Sequence, residues 1–322
     1  METKLPRNLG LELVRATEAA ALSAGRWMGL GKADDADREA SRAIIEILNT
    51  VRMDGLVVMG EEGKLDHEQV IKKGQRVGTG DGVQVDVLVD PIDGRKQLAQ
   101  GYPGAISVSA VAPRGSLWDA APGIYMEKII VDSQVAPYIV PECLDAPAAW
   151  TLALVARAKN VPVSSLNVFM LDRPRHADLK AEVRAAGAHV VLRPDGDIAG
   201  ALMVCTPHSG VDILMGTGGI LEGLLAVCAI KAMNGAMIGR LNPQSEIERA
   251  RIKEAGYELG RIFLMDELAI SDQIFFAATG ITEGPLLSGV VYYGDRAETD
   301  SLILRSQTKT RRRVFAEHLV GT

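Results

Sequence analysis

The stretch Val83-Gln-Val-Asp-Val-Leu-Val-Asp-Pro-Ile-Asp-Gly94 joins a strand pattern to two closely spaced carboxylates. Valine stands at every second position from Val83 to Val89, and this period of two predicts a β-strand that Pro91 halts. Asp90 and Asp93 then fall where the strand turns into a loop. The segment therefore predicts a strand that ends in an acidic turn.

An acidic turn of this kind suits a hard divalent cation. Mg²⁺ and Mn²⁺ prefer oxygen ligands, and a pair of such ions needs several carboxylates from different chain segments. Gly94 would let the backbone come close to a ligand. Further candidate ligands stand at predicted element ends, namely Asp37, Glu61 or Glu62, and Glu222. Each of them alone also suits an ordinary role in a helix first turn or a loop, but together they favour a metal site.

The sequence before residue 148 predicts an α+β domain. Apolar periodicity indicates helices over about 9–28 and 35–51, and short apolar or alternating runs indicate strands at 56–59, 83–90, 105–112 and 124–131. These strands follow one another without helices between them, which predicts a largely antiparallel sheet. Prolines at 137, 141 and 147 indicate a linker, so we expect domains at 1–147 and 148–322.

The second half predicts an α/β domain. Helices are expected at 148–160, 177–186 and 221–234, alternating with strands at 167–171, 189–193 and 211–215. Ser245 and Glu248 have the spacing of a capping box before another helix. Apolar runs at 274–278, 290–293 and 302–304 predict late strands.

Composition limits the classes of partner. The 322 residues carry a net charge of −6 and only 4% aromatic residues, so a nucleic-acid surface is not expected. The longest apolar run, Leu224 to Ile230, is far shorter than the ~20 residues that cross a bilayer. The three cysteines are widely spaced, and no apolar signal core follows Met1. We expect a cytoplasmic protein that binds neither nucleic acid nor membrane.

Several polar motifs of the second half suit a phosphorylated ligand. Gly216 to Gly219 stands between a predicted strand and a helix, where backbone N–H groups can bind a phosphate or merely form a tight turn. Arg173 and Arg175 follow a strand and can grip phosphate oxygens or form a solvated basic turn. Asp195 and Asp197 also follow a strand, and they can accept sugar hydroxyls, bind metal or cap a helix.

With these motifs in this order, the chain resembles the class II fructose-1,6-bisphosphatases of bacteria, within the lithium-sensitive phosphatase superfamily. That class includes a cyanobacterial type that also takes sedoheptulose-1,7-bisphosphate. The likeness covers nearly the whole chain. It is carried by Trp27-Met-Gly with Asp37, Val58-Met-Gly-Glu61, Val89-Asp-Pro-Ile-Asp-Gly94, Tyr125-Met-Glu-Lys128, Arg173-Pro-Arg-His176, Pro194-Asp-Gly-Asp197, Gly218-Gly-Ile-Leu-Glu-Gly223 and Ala278-Thr-Gly-Ile-Thr282.

The resemblance implies a fold, a reaction and a set of site residues. The fold would be the layered α/β/α/β/α sandwich of the sugar phosphatases, and the reaction the hydrolysis of a sugar bisphosphate with Mn²⁺ or Mg²⁺ as cofactor. A homodimer or homotetramer would be expected. The implied metal ligands are Asp37, Glu61, Asp90, Asp93 and Glu222, and the implied catalytic residues are Asp90, Asp93, Arg95 and Glu61. The implied substrate contacts are Asp93, Gly94, Arg95, Tyr125, Arg173, Arg175, Asp195, Asp197 and Gly219.

Three positions depart from the family pattern. Asp93 stands where the family usually has Glu, and one residue is inserted after Gly60, so that Glu62 instead of Glu61 can be the ligand. Arg95 replaces a threonine whose hydroxyl, in the family, helps to orient the attacking water. A guanidinium cannot accept a proton from that water. It can instead add positive charge beside the phosphoryl group, or occupy the metal site. Two alternatives therefore stay open: a catalytically impaired paralogue that binds sugar phosphates as a regulatory or structural protein, and a phosphatase of another phosphosugar or inositol phosphate.

Overall fold

The computed structural model describes residues 5–60 and 70–321, and these residues form helices and strands throughout. The helices are α1 (Leu9–Gly25), α2 (Ala33–Leu48), α3 (Arg95–Gln100), α4 (Ala148–Lys159), α5 (Ala177–Ala185), α6 (Asp197–Val204), α7 (Ile220–Ala232), α8 (Glu246–Glu254) and α9 (Met265–Leu268). The strands are β1 (Met53–Met59), β2 (Arg76–Val77), β3 (Val83–Asp93), β4 (Ile106–Pro113), β5 (Tyr125–Val131), β6 (Asn167–Leu171), β7 (His189–Arg193), β8 (Ile213–Gly219), β9 (Ala236–Leu241), β10 (Phe263–Leu264), β11 (Phe275–Gly280), β12 (Val291–Tyr293), β13 (Arg296–Arg305) and β14 (Thr310–Leu319).

The chain divides into two units, and the first one is discontinuous in sequence. It comprises Met1–Asp119 together with Ile270–Thr322, while the second unit comprises Ala120–Ala269. This division differs from the expected boundary between residues 147 and 148. The reason is that β11 pairs with β4, which returns the last fifty residues to the sheet of the first unit.

The first unit is built on a mixed sheet with the strand order β12-β13-β11-β4-β3-β1-β2, and β14 pairs with β13. Among the described pairings of this sheet, only β1 with β3 is parallel, in keeping with the expected antiparallel character. The helices α1 and α2 supply Leu13, Ala20 and Ile44 to a core that also contains Val87 and Val89. The alternating valines of the opening sequence are therefore the core face of β3.

The strand β3 does not end at Pro91, contrary to the sequence prediction. It continues to Asp93, and the register with β4 shifts between Asp90, which pairs with Val108, and Asp93, which pairs with Ile106. Two residues of β3 thus face one residue of β4, which is a bulge. Proline is tolerated at a bulge because the ladder hydrogen bond that its nitrogen cannot donate is already missing.

The second unit is built on another mixed sheet, with the strand order β10-β9-β5-β8-β6-β7. The strand β6 pairs in parallel with both β7 and β8. The segment 124–131 was expected in the first sheet, but β5 lies here instead, between β8 and β9. The two mixed sheets with their helices confirm the α/β and α+β fold class predicted from the sequence. No helix in the described part of the chain is long and apolar enough to cross a membrane.

Close packing between α6 and β6 gives a direct test of the second unit. A Cβ atom on Gly200 of α6 would lie 2.6 Å from Cζ of Phe169, a side chain of β6 that is only 1% exposed. We expect Gly200→Ala to lower the free energy of unfolding by about 1 to 3 kcal/mol, because the buried ring has little room to move. The exposed Gly260, with nothing within 4 Å of its added Cβ, is the control. Gly260→Ala should change the thermal unfolding midpoint little, and equal midpoints for the two variants would contradict the packing argument.

Candidate active site

The bulge of β3 brings two carboxylates to the same face of the first sheet. In a regular strand, positions 90 and 93 would point to opposite faces. Their partners Val108 and Ile106 are two residues apart on β4 and share one face, so Asp90 and Asp93 share that face too. Both are 3% exposed, and Asp90 Oδ1 accepts a hydrogen bond of 3.1 Å from the backbone N–H of Ile92. The bulge therefore holds a pair of buried acids.

Gly94 turns the chain from β3 into α3. Its φ angle is +100°, and an added Cβ would lie 3.2 Å from Cα of Ala105. A side chain at this position would be strained by the backbone conformation and crowded by the neighbouring strand. The glycine thus lets Arg95 begin a helix directly after Asp93.

Asp37 of α2 and Arg95 of α3 form an ion pair in the first unit. Arg95 Nη1 lies 4.0 Å from Asp37 Oδ2, and the side chains are 18% and 4% exposed. The backbone N–H groups of Gly29 and Gly31 donate 2.9 Å hydrogen bonds to the carbonyls of Leu98 and Ala99, which holds the start of α2 against α3. The structure therefore brings together Asp37 and the residue that departs most from the family pattern.

The remaining metal-ligand predictions lie elsewhere in the chain. Glu61 and the alternative Glu62 are outside the described residues. Glu222 lies in the first turn of α7, in the second unit, and is 7% exposed. Over residues 5–60 and 70–321, no three His, Cys, Asp or Glu side chains come together in a group that could hold a metal ion. The buried oxygens of Asp90 and Asp93 nevertheless fit a hard divalent cation as part of a donor set.

The predicted substrate contacts of the second unit gather at one edge of the second sheet, whereas Asp93, Gly94 and Arg95 lie in the first unit. Arg173 follows β6, Asp195 follows β7, and Gly219 ends β8. Because β6 is parallel to both neighbours, these carboxyl ends lie at the same edge. Tyr125 begins β5 and pairs in register with Gly219, so it lies there as well. The topology therefore unites residues that are far apart in sequence.

Arg175 is fixed at this edge by three contacts. Its Nε and Nη2 donate hydrogen bonds of 3.1 and 2.8 Å to the carbonyl of Thr217, and its guanidinium lies 5.2 Å from the centroid of the Tyr125 ring. Burial lowers the pKa of Arg175, and the nearby charge of Arg173 lowers that pKa further. Two cations that repel each other in a partly buried place favour a bound anion.

The two aspartates have different partners. Arg173 lies 3.4 Å from Asp195 Oδ1, and both side chains are between one-fifth and one-third exposed. Asp197, the first residue of α6, is 6% exposed and forms an ion pair with Lys128, which is 1% exposed. The sequence reasoning did not single out Lys128 as a functional residue, although a lysine within the otherwise apolar end of β5 was a signal. Asp195 is therefore accessible to a ligand, whereas Asp197 is held in a buried pair.

His176 is a second residue that the sequence reasoning did not assign a role. Its Nε2 accepts a hydrogen bond of 2.8 Å from the backbone N–H of Thr217. The proton of the neutral ring must then be on Nδ1, which donates to the carbonyl of Leu171 at 2.7 Å. The ring thus joins the end of β6 to β8 beside Arg175. Its place in the motif Arg173-Pro-Arg-His176 was the available signal.

The segment from Gly216 to Gly219 is not a loop, contrary to the sequence prediction. It is the last part of β8, paired with β5, and α7 begins at the next residue. The backbone N–H of Ile220 donates to the carbonyl of Ile124 at 2.9 Å, so the first N–H of α7 is already bonded within the fold. An added Cβ on Gly219 would collide with the carboxylate of Glu222. Gly218 and Gly219 therefore give room to the carboxylates of Asp197 and Glu222.

The chain is similar to known proteins over nearly its whole length. Residues 7–318 match the family described as bacterial fructose-1,6-bisphosphatase, glpX-encoded. The chain belongs to this family. It is 39% identical to fructose-1,6-bisphosphatase 1 class 2 of Escherichia coli K12, over 97% of this chain and 95% of that protein. The fructose-1,6-bisphosphatase class 2 of Shigella flexneri matches with the same identity and coverage. The family placement from sequence motifs is therefore confirmed.

The hydrogen bonds of His176 predict a pH dependence of stability. Burial lowers the pKa of His176 from its ordinary 6.5. Below about pH 6.5 the unfolded chain binds a proton that the folded chain resists, so the free energy of unfolding should fall as the pH falls. We expect His176→Gln to be less stable than the wild type at pH 7.5, by about 1 kcal/mol for a lost hydrogen bond, and to lose part of this decline.

The measurement is denaturant unfolding at pH 7.5 and 5.5. Burial also lowers the pKa of His318, so the difference between variant and wild type isolates His176. His189→Gln, at the exposed first residue of β7, is the control and should keep the wild-type decline. A decline of the same size in His176→Gln and the wild type would show that the ring does not act as described.

Proposed function

We propose that the protein hydrolyses fructose-1,6-bisphosphate at the 1-phosphate, releasing the monophosphate and inorganic phosphate. The observation that supports this most directly is the edge of the second sheet, where Arg173 and Arg175 lie together beside Tyr125 and Asp195. Its residues suit a phosphorylated sugar, with cations for the phosphate and a carboxylate for a hydroxyl. The 39% identity to relatives named fructose-1,6-bisphosphatase supports the choice of sugar.

In this proposal the second unit binds the substrate. Arg173 donates hydrogen bonds to the non-reacting phosphate, and Arg175, held by Thr217 and Tyr125, supplies a fixed second charge. Asp195 accepts a hydrogen bond from a sugar hydroxyl. Asp197 orients Lys128, and Gly219 leaves room for Glu222 at the start of α7.

The first unit contributes the acids of the reaction. A bound Mn²⁺ or Mg²⁺ supplies a Lewis acid that makes the attacking water more acidic and neutralises charge on the phosphoryl oxygens. Asp90 and Asp93 are the described residues proposed to hold it, and Glu222 and Glu61 or Glu62 are further ligands that the resemblance implies. Asp37, the other ligand that the resemblance implies, is paired with Arg95. The bulge that places Asp90 and Asp93 on one face keeps both carboxylates oriented before the cation binds.

The substrate range and the assembly are further parts of the proposal. Sedoheptulose-1,7-bisphosphate carries the same phosphate at the reacting end, so we propose it as a second substrate. Phe315 and Leu319 of β14 are 71% and 73% exposed, which supports a homodimer or homotetramer that covers them. A cytoplasmic location goes with sugar phosphates as substrates. Phosphate release from a panel of sugar and inositol phosphates, with light scattering for the assembly, tests these points.

Asp90→Asn tests the metal-dependent activity. The asparagine oxygen can still accept the hydrogen bond from Ile92, so the bulge should persist while the charge is lost. We expect phosphate release with Mn²⁺ or Mg²⁺ to fall by at least about a hundredfold, with an unchanged thermal midpoint. Asp81→Asn removes the same charge from an exposed loop and should keep wild-type activity. Wild-type turnover in Asp90→Asn would exclude this assignment.

Arg173→Ala tests the phosphate contact. The loss of a charge-assisted hydrogen bond, worth about 1.5 to 3 kcal/mol, should weaken binding of fructose-1,6-bisphosphate about ten- to a hundredfold. Calorimetry without divalent metal gives this affinity in the absence of turnover. Arg184→Ala removes the same charge at the far end of α5 and is the control. An affinity loss below twofold in Arg173→Ala would contradict the contact.

A further inference from the structure

Arg95 brings a permanent positive charge to a buried carboxylate of the candidate site. Its Nη1 lies 4.0 Å from Asp37 Oδ2, where the carboxylate side chain is only 4% exposed. A guanidinium stays protonated in proteins, and two opposite charges at this distance attract each other strongly where water is mostly excluded. Asp37 therefore has a counter-charge supplied by the chain itself.

The local fold maintains this proximity from both sides. Arg95 is the first residue of α3, directly after the left-handed Gly94. The hydrogen bonds from Gly29 and Gly31 to carbonyls of α3 hold the start of α2, and with it Asp37, against the same helix. The two charges are thus positioned by backbone contacts.

The position does not favour an arginine on local grounds. The first turn of a helix carries partial positive charge and prefers acidic side chains, but the first turn of α3 contains none. Asp37 supplies the stabilisation that the helix does not. The separation of 4.0 Å is longer than a hydrogen bond, so this contact is a charge interaction without a closed fork of hydrogen bonds.

We propose that the Arg95 guanidinium takes the place of a divalent cation at Asp37, so that Asp37 anchors Arg95 and does not ligate metal. This inference rests on the proposed function, because it presupposes a divalent site at Asp90 and Asp93. A second divalent cation at Asp37 would be repelled by the guanidinium beside it. The site consequently binds one metal ion fewer than the same acids would bind without Arg95.

Titration calorimetry of Mn²⁺ into the metal-stripped full-length protein tests this directly. Arg95→Met removes the charge and keeps an unbranched side chain, and we expect it to bind one more Mn²⁺ per chain than the wild type. Asp37→Asn alone should leave the number of ions unchanged and their Kd within twofold. In the double variant the additional ion should be lost again. Lys96→Met removes an exposed charge from the adjacent position and should behave as wild type.

Two results would overturn the inference. One is an equal number of bound Mn²⁺ ions in the wild type and Arg95→Met. The other is a Kd at least tenfold weaker in Asp37→Asn than in the wild type, because Asp37 would then be a ligand despite Arg95. Thermal unfolding shows whether Asp37→Asn folds, and if it does not, the comparison of Arg95→Met with the wild type still decides.

Phosphate release separates this inference from the proposed function. If the wild type binds Mn²⁺ and releases phosphate from fructose-1,6-bisphosphate, but Arg95→Met gains no ion, only the inference fails. If Arg95→Met gains an ion and neither protein releases phosphate, the inference stands and the proposed function fails. If Mn²⁺ binds to neither the wild type nor Arg95→Met, Arg95 replaces no cation and the inference fails, while phosphate release still decides the proposed function.

Discussion

The bulge at Pro91 is the constraint on which the first unit depends. A strand places residues 90 and 93 on opposite faces, and only an extra residue on β3 turns Asp90 and Asp93 to the same one. The bulge breaks no hydrogen bond at Pro91, because proline has no N–H to donate to the neighbouring strand. The N–H of the next residue, Ile92, donates to the side chain of Asp90 instead. The four residues from Asp90 to Asp93 therefore end the regular ladder and orient the acids. In a regular strand the same two acids would point to opposite faces of the sheet and could not share a ligand.

In the second unit, the fold holds two positive charges, Arg173 and Arg175, close together. Burial lowers the pKa of Arg175, and the charge of Arg173 lies close enough to lower that pKa as well. The Thr217 carbonyl and the Tyr125 ring hold Arg175, while His176 fixes the strand that carries Thr217. Because His176 is neutral in this arrangement, it braces the site without adding a third positive charge. The edge of the second sheet thus favours anions, because the fold itself holds the two arginines there before any ligand binds.

Sequence patterns predicted most of the regular elements but not all of their partners. The strands β6 and β7 have the predicted bounds. Half of the predicted capping box before α8 is present, because the Glu248 N–H donates to Ser245 Oγ, while the Glu248 carboxylate accepts from the N–H of Gln244. The period-two pattern of β3 was clear, but the proline rule ended it three residues early because a bulge leaves no periodic signal. β14 was missed because its residues from Arg311 to Leu319 are mostly polar and exposed at the edge of a sheet. The pairing of β11 with β4 was unpredictable because local patterns carry no information on contacts more than 160 residues apart.

The ion pair of Lys128 with Asp197 and that of Arg95 with Asp37 differ in how firmly each holds its carboxylate. Lys128 and Asp197 form a closed contact in which both side chains are almost wholly buried, and removing either partner would leave an uncompensated charge at a cost of about 3 to 5 kcal/mol. Arg95 and Asp37 face each other across 4.0 Å, and the arginine is partly exposed. Water can solvate the guanidinium of Arg95 if it moves away from Asp37, so breaking this pair costs less than breaking the pair of Lys128 and Asp197. The buried ammonium group of Lys128 therefore holds Asp197 in one place. The partly exposed guanidinium of Arg95 neutralises the charge of Asp37 from a longer distance and can move when another charge comes close.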